Sequence, residues 1–279
     1  MLSRIVLALI TIAGVVAGSG CSSAGADSAD AVVVAVCPLE YAARQLLGRD
    51  AEIVNLTPAG AEPHDLELSA GDVRRVRDAR LVVFIGRGFQ PALEQALDER
   101  SGPSLDVLQG PEVDRDPHLW LDPVRYAEAV RALARALGEP AAADDLVGRL
   151  ERLDGELRRG LASCARRDLV TSHAAFGAFA ARYGLEQIAL TGLAPDAEPT
   201  PGKLDALVAE IERRGVTTVF SETLVDPGLA ETVAREAGVA TALLDPLEGL
   251  SDEQQGRGAD YFTVMRENLA AVREALACR

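Results

Sequence analysis

The feature that most constrains this chain is the alternation of short β-branched runs with amphipathic stretches. From residue 32 onward, "AVVVAV" (31–36) reads as a strand and "PLEYAARQLLG" as a helix ended by Gly48. "EIVNL" is the next strand, and a loop follows to Ser69, an N-cap with Asp72 three residues on. "RLVVFIG" and a weak "SLDVL" are further strands, with "PALEQALDE" a helix between them. Asp122-Pro123 opens another helix, with Asp as cap and Pro in the first turn. The pattern recurs after residue 167. Strands "LVT", "EQIAL", "VTTVF" and "VATALL" are separated by helices at about 174–183, 201–214, 227–237 and 258–276. Such alternation predicts parallel sheets covered on both faces. Two runs of it predict two α/β lobes, each with a four-stranded parallel sheet, over residues 31–140 and 165–279.

Between them lies "AAADDLVGRLERLDGELRRGLASC", 141–164, with Leu146, Leu150, Leu153, Leu157 and Leu161 at helical spacing and no proline. At ~1.5 Å per residue it predicts a connecting helix roughly 33 Å long. A helical connector is stiffer than a glycine-rich hinge, so large opening and closing of the lobes is not expected.

The first 20 residues read as a signal peptide. Arg4 supplies the positive end, and Ile5 to Ala17 is apolar but too short to span a bilayer. Cys21 and "SSAGADSAD" follow as a tether over 21–30. This resembles a bacterial lipoprotein signal, with Cys21 lipidated, although Gly18 stands where an apolar residue is usual. The alternative is a cut after "AGA" (24–26), releasing a soluble protein. Either way the expected location is extracytoplasmic, and the lipidated form implies a membrane anchor. A net charge of −15 argues against nucleic acid as a partner, because phosphates repel such a surface.

Three histidines are all the chain has. His64 lies in the loop after "EIVNL", His118 in "DPHLWLDP" after "SLDVL", and His173 directly after "DLVT". Each falls at the carboxyl end of a strand, where open α/β sheets form ligand sites. Two come from the first lobe and one from the second, so a shared site must lie in the cleft between them. His173 precedes a helix whose positive end should keep its ring neutral. Neutral imidazole is a preferred zinc ligand. A fourth ligand is expected from the second lobe: Asp245 in "LLDPLEGL" first, with Glu222 in "FSETLVDP" as its alternative or as a supporting partner. Three histidines and a carboxylate complete a four-coordinate zinc sphere.

At this point the chain resembles the metal-specific solute-binding proteins of ABC importers, the ZnuA-like and TroA-like group. "GAEPHDLELS", "DPHLWLDP", "VTSHAAFGAFAARYGL", "FSETLVDP" and "LLDPLEGL" occur in the family's order and spacing over about 31–276. The resemblance implies two α/β lobes on one long backbone helix, with His64, His118, His173 and Asp245 as metal ligands. It implies a monomeric receptor that carries no catalysis of its own and delivers zinc to a membrane permease driven by a separate ATPase. Manganese-binding relatives typically carry a carboxylate at the position of His173, so a histidine there implies zinc rather than manganese. Two departures stand out. The long histidine-rich loop of many zinc-uptake members is missing, and Cys37 stands where relatives commonly have an aromatic.

A zinc hydrolase is the rival from another class, since three histidines with an open position form a catalytic pattern. A protein carboxylate in that position, and no HExxH-type base, argue against it. A surface adhesin, a role attributed to some relatives, finds no separate support in the residues. "FIGRGF" lacks the phosphate fingerprint and reads as a turn.

With Cys21 assigned to lipid, three cysteines remain. Cys164 ends the connecting helix and Cys278 lies just past the final helix, which must pack on the same lobe. A Cys164–Cys278 disulfide is therefore expected, with Cys37 a thiol at the cleft end of the first strand.

Overall fold

A computed structural model describes residues 30–48, 50–108, 116–193 and 199–279. The segments read from the sequence as a signal peptide and a tether, with Cys21, lie outside the described residues up to residue 29. The first sheet is built from β1 (Val32–Val34), β2 (Ile53–Asn55), β3 (Leu81–Phe84) and β4 (Ser104–Asp106) in the order β2-β1-β3-β4. The second uses β5 (Asp168–Thr171), β6 (Glu186–Ala189), β7 (Thr218–Ser221) and β8 (Ala240–Leu243) in the order β6-β5-β7-β8. Every pairing is parallel. The two sheets therefore share one topology, with the strand order reversing beside β1 and β5.

The helices of the first half are α1 (Cys37–Leu47), α2 (Ala70–Asp78), α3 (Pro91–Asp98), α4 (Pro123–Leu137) and α5 (Ala143–Leu161). Those of the second are α6 (Gly177–Tyr183), α7 (Pro201–Arg214), α8 (Gly228–Ala237), α9 (Asp252–Gly256) and α10 (Tyr261–Ala275). Ser69 and Asp72 form the reciprocal capping box on α2, and Asp122 accepts from Val124 N at 3.0 Å to start α4. The sequence reading has no counterpart of α9, a short helix with its own capping box between Ser251 and Gln254. None of the described helices is long and apolar enough to cross a membrane.

Helix α5 is the connector, with 19 residues. It is about 28 Å long, shorter than the run of leucines suggested, because a 3-10 turn at Pro140–Ala142 precedes it and Cys164 belongs to a bridge. Asp144 and Asp145 lie in its first turn and Arg158 and Arg159 in its last, the order the helix dipole favours. Leu146, Leu150, Leu153, Leu157 and Leu161 are all buried. Burying each contributes roughly 1.5–3 kcal/mol. They join Val33 and Val82 of the first sheet to Leu169, Phe220 and Val272 of the second half in one continuous apolar core. On the opposite face of the second sheet, Val170, Ile188 and Val219 form a separate cluster with Leu207 and Ile211 of α7. Adjacent residues Leu169 and Val170 thus feed different cores, as pleated neighbours must.

Cys164 and Cys278 are bonded to each other, and Cys37 is free. The bridge ties the segment leading into β5 to the residues just beyond α10. The double variant Cys164→Ser/Cys278→Ser should lose about 2–5 kcal/mol of stability. Denaturant unfolding of both proteins measures this, and zinc stoichiometry should be unchanged because the bridge lies at the strand end remote from the histidines.

Candidate metal centre

Five chain segments that follow the carboxyl ends of strands meet in the cleft. His64 sits in a 3-10 turn (Pro63–Asp65) after β2, and His118 caps another (Leu119–Leu121) after β4. His173 follows β5 by two residues, Glu222 follows β7 directly, and Glu248 lies in the loop after β8. The three Nε2 atoms converge. His118 Nε2 is 3.3 Å from His64 Nε2 and 3.4 Å from His173 Nε2. Glu248 Oε1 completes the group at 2.9 Å from His118, 3.2 Å from His64 and 3.3 Å from His173. Among the described residues, His64, His118, His173 and Glu248 are the set whose donor atoms all lie within 4.8 Å of one another. His118, His173 and Glu248 are buried and His64 is half-buried.

The carboxylate in that set is therefore Glu248 and not Asp245. Asp245 stands at the strand end, where the sequence placed the ligand, but its oxygens are turned away and occupied. Oδ1 accepts from Leu247 N at 2.7 Å, and Oδ2 from the Gln254 side chain at 2.5 Å. Asn268 brackets its backbone, accepting from Asp245 N at 2.9 Å and donating to Asp245 O at 2.7 Å. These bonds close a tight turn in which Leu247 takes a positive φ of 59°, a conformation costly for a residue with a branched side chain. The turn projects Glu248 into the cleft. Asp245 is thus the device that aims the carboxylate. Trp120, the only tryptophan, holds the same turn from the other lobe, its indole N–H donating to Pro246 O at 2.7 Å.

Each buried histidine is oriented by a carboxylate on its far nitrogen. Asp116 Oδ1 accepts from His118 Nδ1 at 2.8 Å and from the His118 backbone N–H at 3.0 Å. Its Oδ2 accepts from Ala178 N, in the first turn of α6, at 2.9 Å. Asp116 therefore bolts the first-lobe loop to the second lobe. The approach is tight: a Cβ on Gly177 would lie 3.0 Å from Asp116 Oδ2 and would press on that carboxylate. Glu222 accepts from His173 Nδ1 and, at 3.0 Å, from His173 N. Placing Nδ1–H on a carboxylate leaves Nε2 with its lone pair aimed at the cluster. The structure thus puts Glu222 behind His173 rather than in the donor set. His64 is held differently: its backbone N–H donates to Glu62, and Phe89 meets its ring edge-on at 4.6 Å between centroids. Phe89 ends the "FIGRGF" turn, in which Arg87 and Gly88 both have positive φ.

The electrostatics differ from the expectation for His173. Only a three-residue 3-10 turn follows it before α6. Burial alone would depress the His173 pKa, but the Glu222 and Glu248 carboxylates outweigh it and lift it to about 10. His118 is likewise raised, burial being outweighed by Asp116 and Glu248. Burial would raise Glu248, yet the hydrogen bonds from His118, His173 and His64 hold it well below the usual carboxylate range. Without a metal, the cluster therefore retains protons at neutral pH, and a cation must displace them.

Comparisons with known proteins identify relatives of the chain. The profile of a family described as "Zinc-uptake complex component A periplasmic" matches residues 32–275. The zinc-binding protein AdcA of Streptococcus pyogenes serotype M3 is 30% identical over 283 residues, 87% of this chain and 55% of that protein. The chain thus spans about half the length of such curated relatives. The solved Zn(II)-bound ZnuA-like domain of Streptococcus pneumoniae AdcA superimposes with a TM-score of 0.74 at 31% identity, covering 88% of this chain and 98% of that one. The laminin binding protein Lmb of Streptococcus agalactiae, described as having adhesin and metal transporting activity, gives 0.81 at 26% identity, with 88% and 99% covered.

Two outcomes test the roles assigned to these carboxylates. Glu248→Ala should abolish tight zinc binding, whereas Asp245→Asn, Asp116→Asn and Glu222→Gln should each cost roughly 10–100-fold by loosening orientation. Isothermal titration ranks them, and an Asp245 variant as damaging as Glu248→Ala would make Asp245 a ligand. The second concerns pH. A histidine raised from 6.5 to about 10 contributes stability that is full below pH 6.5 and lost as pH rises through 10. Metal-free protein should therefore be less stable at pH 9.5 than at pH 7, and Glu222→Gln should flatten the difference in denaturant titrations.

Proposed function

The chain belongs to the family of periplasmic component A of zinc-uptake complexes, and on that premise we propose that it is an extracytoplasmic receptor that binds one Zn²⁺ and hands it to an ABC-type importer. The observation that carries this reading is the meeting of three Nε2 atoms and one carboxylate oxygen in a buried cleft between two lobes. An N₃O set of borderline-soft imidazoles with a single oxygen favours zinc over manganese, by ligand type and by the Irving–Williams order. The ligands are His64, His118, His173 and Glu248, with Asp116 and Glu222 orienting two of the rings.

The same arrangement speaks against catalysis. A zinc hydrolase needs an open coordination position for water, and here the fourth donor is a protein carboxylate. The partners are the membrane permease and its ATPase. The protein acts as a monomer held at the membrane through Cys21, or released by the alternative cut.

Metal analysis of protein purified without added metal is the direct test. One zinc per chain is expected, falling below one-tenth in the His64→Ala/His118→Ala/His173→Ala variant. In a competition titration, manganese at equal concentration should leave zinc in place. Displacement of zinc by manganese would overturn the metal assignment.

A further inference from the structure

Two of the three histidines carry a carboxylate behind the ring, and His64 does not. Among the described residues no hydrogen bond reaches His64 Nδ1, so its ring depends on the placing of the 3-10 turn that carries it. A buried amide grips that turn. Gln90, the residue before α3, is 1% exposed. Its Nε2 donates to Thr57 Oγ1 at 2.9 Å, to Ala35 O at 3.1 Å and to Pro63 O at 3.2 Å. Pro63 O is also the acceptor that closes the turn, taking Leu66 N at 3.3 Å.

Thr57, likewise buried, fixes the polarity of this contact. Its one hydroxyl proton goes to Ala35 O at 2.7 Å, which leaves Oγ1 to accept from Gln90. The three groups facing Nε2 are thus all acceptors. The other end of the amide, Oε1, is buried with no hydrogen-bond partner. Such an oxygen carries a desolvation cost that an apolar side chain would avoid, so the amide is retained for its N–H groups. Three segments meet on them: the end of β1, the residues after β2 and the turn of His64. The same pairing recurs in the second lobe. Gln187 Nε2 donates to Thr171 Oγ1 at 2.7 Å and to His173 O at 3.0 Å, and Thr171 Oγ1 donates to that carbonyl at 2.7 Å. There Glu222 shares the task, holding both the His173 ring and its backbone N–H. In the first lobe no ring carboxylate does so.

We propose that Gln90 and Thr57 are positioning residues for metal binding: through Pro63 O they set where His64 Nε2 stands relative to the nitrogens of His118 and His173. The proposal rests on the zinc reading above for the identity of the cation. Neither side chain belongs to the donor set. Removing their hydrogen bonds lets the turn pivot, and His64 Nε2 leaves the cluster while the two sheets stay as they are.

The test uses the full chain. Thr57→Val keeps the side-chain shape and removes the hydroxyl, Thr57→Ser restores it, and Gln90→Met keeps the length and removes the N–H groups. Zinc affinity is measured by competition with chelators of graded strength. Thr57→Val and Gln90→Met should each weaken binding roughly 10–100-fold, and Thr57→Ser should bind as the parent does. In a His64→Ala background neither change should weaken binding further, because a positioning residue acts only through the ligand it positions. Parent-like affinity in Thr57→Val, an equal loss in the His64→Ala background, or a Thr57→Ser variant as damaged as Thr57→Val would each overturn the proposal. Thr57→Val decides the matter if Gln90→Met does not fold. A second measurement needs no metal. The His64 N–H, held by Glu62, should exchange with solvent roughly tenfold faster in metal-free Thr57→Val, with the amides of α5 unchanged. Unchanged exchange at His64 would overturn the positioning role whatever the cargo. Zinc content of the parent protein reads the proposed function, so the two can fail separately.

Discussion

A single buried carboxylate oxygen, Glu248 Oε1, within 3.3 Å of three imidazole nitrogens, is the interaction around which the rest of the molecule is arranged. Three Nε2 lone pairs brought this close repel one another unless a proton or a cation lies between them. The fold sustains the arrangement by placing carboxylates behind two of the rings and within the cluster. Asp116 and Glu222 fix the tautomers, and Glu248 supplies the charge that protons or a metal neutralise. The cost is a concentration of negative charge in a buried space, borne by the rigidity of two sheets sharing one apolar core.

Bonds also cross between the lobes. Trp120 reaches Pro246, Asp116 reaches Ala178, and the Asp122 carboxylate that caps α4 also pairs with Arg182 of α6 at 2.7 Å. The apolar run around His118 is therefore more than core filling. Its indole and carbonyl groups are the clamps that align a first-lobe ligand with second-lobe ones. These cross-lobe bonds add to α5 as connections between the two halves.

The two sheets, the connector and the convergence of the three histidines were legible in the residues, because strand ends are marked by the change from β-branched runs to helical periodicity. The carboxylate that joins them in the cluster was not. Asp245 occupies the strand end that the topological rule singles out, whereas Glu248 lies past a proline in a turn whose direction depends on a positive φ at Leu247. Nothing in "LLDPLEGL" announces that φ. Only the long-range partners of the turn, Gln254, Asn268 and Trp120, determine it. The protonation of His173 was misjudged for a related reason. The helix behind it was visible, but the carboxylates facing its ring come from segments after strands β7 and β8, 49 and 75 residues away in sequence.

The Trp120 loop has a consequence for how the molecule comes into being. Its indole waits for Pro246, and its carbonyl accepts a hydrogen bond from Tyr261 at 2.7 Å. A ribosome makes the first sheet, both first-lobe histidines and the connector long before either partner exists. Folding of the amino-terminal half can proceed as strands and helices appear, but the Trp120 loop gains its full set of partners only when the last helix, which carries Tyr261, is made. The cluster therefore needs segments from both halves of the chain, since Glu248 comes from the loop after β8.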